Sequence, residues 1–537
     1  MKKFRIIPLF MAVILFFAGC GGRKEDINEP GPYDRENNGV YGTNAPTYAM
    51  PASTSAPGDG LTNNEYYDSQ PLGNEEYLPI IEQAEKFVAK NPLLTFSLKV
   101  DTASYRNVVR YIESGHLPPS DAVRIEEMIN YFNYDMRLPG NDTPFSVYAE
   151  LGKSPFDPDK EIAFIRVKAK DVDRSDLPKS NLTFLIDSSG SMAGYDKLPL
   201  LKQAFGLLVD TLTEDDIVSI VTYSGSSAIL LDSVSGNQKE RIMDVINKLS
   251  ASGSTAGGEG IETAYRLAEK NFIPDANNRV ILATDCDFNV GVSSVAELER
   301  LMSSQRDKGL YLSILGVGTE NLKDNKMETI AKNGRGNYNY IDNIETAQKV
   351  LVDELGVNLY AIADDVKAQI EFNPALVESY RLIGYENSML ADKDFNNDNV
   401  DAGIIGIGTD VVLMFEFTRV NDIPLKYQPN ENTSIPGDYS NELFEVKIRY
   451  KDPGESESNL ITVPVTIDKY TDFNSSDFNF ALSVAGFGHL LKNSEFKGNI
   501  TASRVLAYAK DSLGEDTGGY RKDFIIVVEK YIGLTNR

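Results

Sequence analysis

The sequence predicts an α/β protein. A doubly wound parallel-sheet domain sits between β-rich flanks that build a β-sandwich, and the C-terminal region is helical. Three observations carry this reading. From Asn181 onward, short apolar runs alternate with segments whose apolar residues recur at helical spacing, the pattern of parallel strands joined by crossover helices. Strand-like runs lie both before residue 181 and after residue 364, so the alternating region reads as an insert into one sandwich made from both flanks. Two separate β elements are the alternative. Beyond about residue 470 the apolar spacing becomes helical.

In chain order, residues 1–19 are a signal peptide. Lys2, Lys3 and Arg5 precede the apolar run 6–17, which is short for a membrane-spanning helix and exits through Ala18-Gly19-Cys20. A cysteine directly after Ala-Gly resembles the bacterial lipobox, which implies cleavage before Cys20 and its conversion to a diacylglyceryl-modified N-terminus. Lys24-Glu25-Asp26 resembles the acidic export tags of Bacteroidota lipoproteins. The expected location is therefore the cell envelope, lipid-anchored at the outer membrane, on its periplasmic face or at the cell surface. Residues 20–75 hold few aliphatic clusters, too little apolar surface to offset the entropy of ordering, and read as a disordered tether.

The N-terminal flank, 76–180, starts with a helix-like stretch at 77–89 and a strand-like one at 94–100. Helical faces follow at Val108, Tyr111 and Ile112 and at Val123, Ile125, Met128 and Ile129, then strands at 145–151 and 162–167. The insert, 181–364, places strands at 183–186, 217–223, 280–284 and 311–317. Helices between them carry Leu198, Leu201, Phe205, Leu208 and Leu212; Ile242, Val245, Ile246 and Leu249; and Val295, Leu298, Leu301 and Met302. Strand patterns at 366–372, 376–383, 411–417, 444–450 and 460–467 make 365–470 β-rich. In 471–537, Phe478, Leu482, Ala485 and Leu491 share a helix face.

Composition narrows the chemistry. With 53 Lys+Arg against 79 Asp+Glu the formal net charge is −26, and signal cleavage makes it more negative; nucleic acid, which attracts basic surfaces, is not an expected partner. Two cysteines exclude a disulfide framework or a Cys-rich zinc site, and His116 and His489 stand in dissimilar contexts. Cys286 reads as an inert thiol, His116 as a surface loop residue and His489 as a partly buried helix residue. Asp101-Thr102-Ala103-Ser104 reads as a turn and helix cap, and the acidic runs near 392–401 and 455–457 as solvated loops.

Ligands on a doubly wound sheet bind at the carboxyl edge of the strands. At that edge the first strand of the insert runs into Asp187-x-Ser189-x-Ser191, the strand at 280–284 ends at Thr284-Asp285, and the loop 252–258 offers Thr255. Taken singly, the hydroxyls read as turn and cap residues. Together, two carboxylates and three hydroxyls form a hard, all-oxygen donor set suited to Mg²⁺, Mn²⁺ or Ca²⁺. These residues are expected on surface turns, outside the core.

The set Asp187, Ser189, Ser191, Thr255 and Asp285 resembles the metal-ion-dependent adhesion site of von Willebrand factor type A domains, whose fold is Rossmann-like. That resemblance implies a bound divalent metal that accepts an acidic residue of a protein partner. Thr95-Phe96-Ser97, Val100-Asp101-Thr102-Ala103-Ser104-Tyr105, Leu117-Pro118-Pro119, Val123-Arg124-Ile125-Glu126-Glu127, Tyr380-Arg381-Leu382-Ile383-Gly384-Tyr385-Glu386 and Asp401-Ala402-Gly403 resemble the flanks of one lineage of bacterial lipoproteins with this domain. Cys286 departs from the family's usual glycine after Thr-Asp. Ile404 and Thr409 break the usual polar pattern.

The expected function is a non-enzymatic, envelope-anchored binding module. The alternative is a metal-dependent hydrolase or phosphatase, with Asp187 as nucleophile or the Gly-rich loop 252–260 as a phosphate cradle, or an accessory subunit of an envelope enzyme assembly. A phosphatase of that kind needs a second aspartate two residues beyond Asp187, where Ser189 stands, and the loop lacks a phosphate-binding lysine.

Overall fold

Residues that alternate between two buried faces need a cover on each side, and that requirement organises the chain. The computed structural model describes residues 71–98, 101–134, 143–254, 257–286, 295–319, 322–400, 402–420 and 439–536. Residues 1–70, which hold the expected signal peptide, Cys20 and most of the expected tether, and Thr255 lie outside them. The first flank forms β1 (Lys86–Phe87), β2 (Leu93–Ser97), α1 (Ala103–Glu113), α2 (Ile125–Asn130), β3 (Phe145–Lys153) and β4 (Glu161–Ala169). The insert runs β5 (Ser180–Asp187), α3 (Leu198–Thr211), β6 (Ile217–Tyr223), β7 (Ser227–Ser235), α4 (Lys239–Lys248), α5 (Gly257–Lys270) and β8 (Asn277–Thr284). It continues through α6 (Val295–Arg306), β9 (Leu310–Val317), α7 (Asp324–Asn333), β10 (Tyr338–Ile341), α8 (Ile344–Gln348) and α9 (Leu355–Leu359). The second flank adds β11 (Ala361–Phe372), β12 (Val377–Ile383), β13 (Ile404–Gly406), β14 (Asp410–Arg419), β15 (Glu442–Lys451) and β16 (Ser458–Thr466), then α10 (Ser476–Leu491), α11 (Ala502–Asp511) and α12 (Tyr520–Thr535).

Strands from both flanks interleave. One antiparallel sheet has the order β1-β12-β14-β4-β3, and the other runs β13-β11-β15-β16 with β2 also paired to β11. Because Lys367 pairs with Ser97 on one side and Arg449 on the other, β2 continues the edge of β11 that β13 begins. The sandwich core between the sheets takes the inward residues of β4 and β14, among them Ile165, Val167, Leu413 and Phe415, with the Phe372 and Tyr380 rings stacked at 4.1 Å.

The alternate residues, Ile162, Phe164, Val412 and Met414, face outward and are just as buried, under α1, α2, α10, α11 and α12. Phe164 stacks on Phe478 at 5.0 Å. The C-terminal helices are thus a layer shared with the N-terminal helices, and α10 is apolar on nearly every side because it lies in the middle of that layer.

In the insert the sheet order is β10-β9-β8-β5-β6-β7, parallel except for the edge strand β7. Leu182, Phe184 and Ile186 of β5 face one helical layer and Leu185 the other, the two-sided burial expected of a central parallel strand.

Several features differ from expectation. The stretch 77–89 is not helical: its carboxylates serve distant partners, Glu82 accepting from Ser494 and Glu85 from Ser379, and Lys86–Phe87 joins the edge of β12. The strand β7 escaped the pattern because Ile229 and Leu230 are both half-exposed at the sheet edge, so the alternation is lost. Buried ion pairs tie the insert to the N-terminal helices: Arg124 binds Glu127 and Asp324 at 2.5 Å each, and Arg106 pairs with Asp342. Thr102 stands at the N-cap of α1 without a side-chain cap bond, and Asp101 Oδ1 accepts the Tyr338 N–H of β10 at 3.0 Å. Glu75, at the end of the expected tether, is buried against Arg110 and Tyr111.

Candidate metal centre

The chain leaves β5 for β6 on one side of the sheet and returns to β8 on the other, so the switch point of the sheet lies between β5 and β8. Asp187 ends β5, and Asp285 follows the last residue of β8; Ile186 and Ala283 are register partners, which sets the two carboxylates on adjacent strand ends. The main chain then turns sharply. The Ser189 N–H donates to Asp187 Oδ1 at 2.9 Å, and Ser188 is fixed to β6 by its N–H and hydroxyl, both donating to the Tyr223 carbonyl. A short 3₁₀ turn at Gly190–Ala193 follows, carrying Ser191.

The loop before α5 docks onto this turn: Ser252 N–H donates to the Ser188 carbonyl at 2.8 Å, and Gly190 N–H to the Gly253 carbonyl at 2.9 Å. A Cβ at residue 190 would lie 3.2 Å from that carbonyl, so the close approach favours glycine. Thr255, in this same loop, is outside the described residues.

Ser189 Oγ and Ser191 Oγ lie 3.0 Å apart. The two hydroxyls are hydrogen-bonded to each other, and that length matches the ~3 Å between neighbouring ligand oxygens of an octahedral ion with ~2.1 Å bonds, so a small hard cation could replace the shared proton without moving them apart. Asp187 is fully buried, and its Oδ2 accepts a hydrogen bond from Thr284 Oγ1 at 3.2 Å. Burial pushes its carboxyl up, the Ser189 N–H pulls it down, and Asp285 pushes it up again. A divalent cation would supply the compensation this buried carboxylate lacks. Among the described residues no group of three or more His, Cys, Asp or Glu could hold a metal, so an ion here depends on the hydroxyls. The donor set fits Mg²⁺ or Mn²⁺.

The expectation that these residues sit on surface turns is corrected for the four described ones: Asp187, Ser189 and Asp285 are buried and Ser191 is exposed. The loop before α5 is bonded to the turn after β5, and Lys197, which leads into α3, reaches Asp285. Both oxygens of Asp187 accept hydrogen bonds inside the protein, which fixes the orientation of the carboxylate at the strand end.

Three residues join the site that sequence reasoning did not assign to it. Thr284 bridges the strand ends: its Oγ1 donates to Asp187 and accepts the Cys286 N–H at 3.2 Å. Lys197 Nζ donates to Asp285 Oδ2 at 2.9 Å. Tyr338 lies against Cys286, their polar atoms 4.0 Å apart. Only position hints at Lys197, six residues after Ser191 and just before a helix. Cys286 has φ +64°, the left-handed region that glycine adopts freely and other residues seldom do. Its thiol is buried, and that burial, with Asp285 adding to it, raises its pKa and makes it a poor nucleophile. Of the two histidines, His116 is exposed and His489 is wholly buried against Phe156. Both stand far along the chain from the centre.

Three family models match the chain in succession. One described as von Willebrand factor spans residues 71–163, the von Willebrand factor type A domain spans 181–354, and "Uncharacterized protein YfbK, C-terminal" spans 357–534. The Escherichia coli (strain K12) protein YfbK is 42% identical over 92% of this chain and 85% of its own length. The Synechocystis protein sll0103 is 26% identical over 58% of this chain and 71% of its own. A von Willebrand factor type A structure from Catenulispora acidiphila aligns at 16% identity and TM-score 0.41, over 73% of this chain and 91% of that one.

Proposed function

The chain belongs to the YfbK family, in which a von Willebrand factor type A domain is carried between family-specific flanks, and from that membership we propose a non-enzymatic binding module of the cell envelope. Asp187, Ser189, Ser191, Thr255 and Asp285 hold a divalent ion, Mg²⁺ or Mn²⁺, directly or through water. The ion's open position takes an acidic side chain of a protein partner. The observation that carries this reading is the gathering of Asp187, Asp285 and the paired Ser189 and Ser191 hydroxyls at the switch point of the parallel sheet. The metal supplies positive charge for a carboxylate; the chain supplies the turn that holds the hydroxyls in place and the Thr284 bond that aims Asp187.

Titration calorimetry tests the ion. The wild-type chain is expected to bind Mn²⁺ and Mg²⁺ reversibly, and Asp187→Asn to lose that heat. Asparagine is preferable to alanine here, because Ala would strand the Ser189 N–H and Thr284 hydroxyl at about 1–3 kcal/mol. No heat from either ion at millimolar concentration would sink the adhesion-site reading. Capture of a partner from detergent-solubilised envelope should then be lost in EDTA and restored by Mg²⁺. Capture that ignores both EDTA and Asp187→Asn would mean that the partner binds elsewhere.

The same proposal places the protein on a lipid anchor at Cys20, at the outer membrane. Metabolic labelling with a fatty-acid analogue is expected to mark the wild type and not Cys20→Ala. Equal labelling of the two would remove the anchor from the proposal.

A further inference from the structure

We propose that Lys197 is a built-in cation that tunes this centre: it loosens the hold on the metal and strengthens the loaded site's grip on a carboxylate. The inference deepens the metal-site reading above and rests on it.

A lysine is among the residues least often buried, and one that is buried is normally paired. The Lys197 side chain is 13% exposed and Asp285 1%, and their atoms meet at 2.9 Å. The backbone of Lys197 is fixed on both sides: its N–H donates to the Gly194 carbonyl, and its own carbonyl accepts the Leu201 N–H of α3. Its aliphatic stem crosses Gly318, just beyond β9, at φ +79°. A Cβ there would fall 2.4 Å from Lys197 Cε and 2.7 Å from its Cγ, so the glycine leaves the corridor through which the ammonium reaches the site.

The consequence follows from charge. Asp187 and Asp285 bring two negative charges and Lys197 returns one, leaving the centre singly negative. A divalent ion makes it singly positive, and a partner's carboxylate then brings it to neutrality. Without Lys197 the loaded centre would already be neutral, and an incoming carboxylate would leave it negative. In a chain of net charge −26, whose long-range field repels acidic partners, a locally positive centre is what lets one approach. The same ammonium opposes the metal, so the two affinities trade against each other.

The test uses the full chain in detergent, with Mn²⁺ as the metal and acetate as the carboxylate. Free Mn²⁺ is read by its paramagnetic resonance signal, and acetate by the broadening of its methyl proton line on the loaded protein. Lys197→Met keeps the stem and removes the charge. It is expected to bind Mn²⁺ about tenfold tighter and acetate about tenfold more weakly than wild type, the scale of one partly buried charge at this range. Lys197→Arg keeps the charge and is expected to retain wild-type order in both. Two results overturn the inference and leave the metal site standing: Mn²⁺ and acetate affinities unchanged in Lys197→Met, or both weakened together, as a purely structural ion pair would give. Absence of Mn²⁺ binding to the wild type overturns the site itself, and this inference with it.

Discussion

Cys286 holds a conformation that a side chain seldom adopts, at the point where the strand end turns toward the metal centre. The left-handed backbone at φ +64° costs about 1–2 kcal/mol for a residue with a Cβ. Its thiol fills space against Gly316, where a Cβ would lie 2.8 Å from the sulfur. Strain and filled volume oppose each other, so Cys286→Gly should change stability little. Its Mn²⁺ affinity by calorimetry is expected to equal or exceed the wild type's, because a less crowded turn leaves Asp285 freer to face the ion. The native thiol, buried and raised in pKa, should resist a disulfide reagent at pH 8 and react fully in guanidinium. Rapid reaction of the folded protein would show an opening at the strand end that the fold does not provide.

At the scale of elements, α2 meets the turn after β12 through two carboxylates. Gly384, at φ +77°, brings its backbone against Glu126, where a Cβ would lie 2.8 Å from the Glu126 nitrogen. Tyr385 continues the left-handed turn and sends its hydroxyl to the Val412 carbonyl. Burial, with Glu386 and then Glu127 adding to it, pushes the Glu126 carboxyl up to about 8 from its ordinary 4.5. The folded chain therefore keeps a proton that the unfolded chain has released, and the linked stability is fully present below about pH 4.5 and lost as pH rises through about 8. Glu126→Gln removes the titration and preserves the shape. Its Tm should match the wild type's at pH 5 and exceed it at pH 8.5, by on the order of 1–3 kcal/mol of stability. Parallel pH profiles for the two proteins would mean that Glu126 does not hold the proton.

For the whole molecule, the interleaving of strands from both flanks means that the insert is a passenger in the connectivity of the sandwich. Ser180 Oγ and Tyr360 OH, at the two ends of the insert, lie 2.8 Å apart, so a short linker spans the gap. Excising residues 181–360 behind a short Gly-Ser linker is expected to leave a soluble remnant that shows a β signal in circular dichroism and unfolds cooperatively. It should be less stable than the parent, because Arg124 and Arg106 lose Asp324 and Asp342. A remnant with no β signal would show that the sandwich needs the insert to form.

The sequence by itself determined the fold class, the parallel sheet, and the longer strands of both flanks, because burial on one or two faces writes a period into the chain that needs no partner to be read; β1 and β13, two and three residues long, are too short to show one. It also determined the donor types at the centre: Asp187-x-Ser189-x-Ser191 and Thr284-Asp285 follow apolar strand runs, and a strand end at a sheet edge is where such residues gather. Only the tertiary structure decided the rest. The register between β5 and β8 put two carboxylates 98 residues apart on adjacent strand ends, where both are buried. The reach of Lys197 to Asp285 depends on a glycine beyond β9, 121 residues further along. The C-terminal helices became a shared layer because β4 and β14 carry apolar residues on both faces, and the second face had to be covered. Contacts of that kind carry no local period, since each partner's pattern is complete without the other.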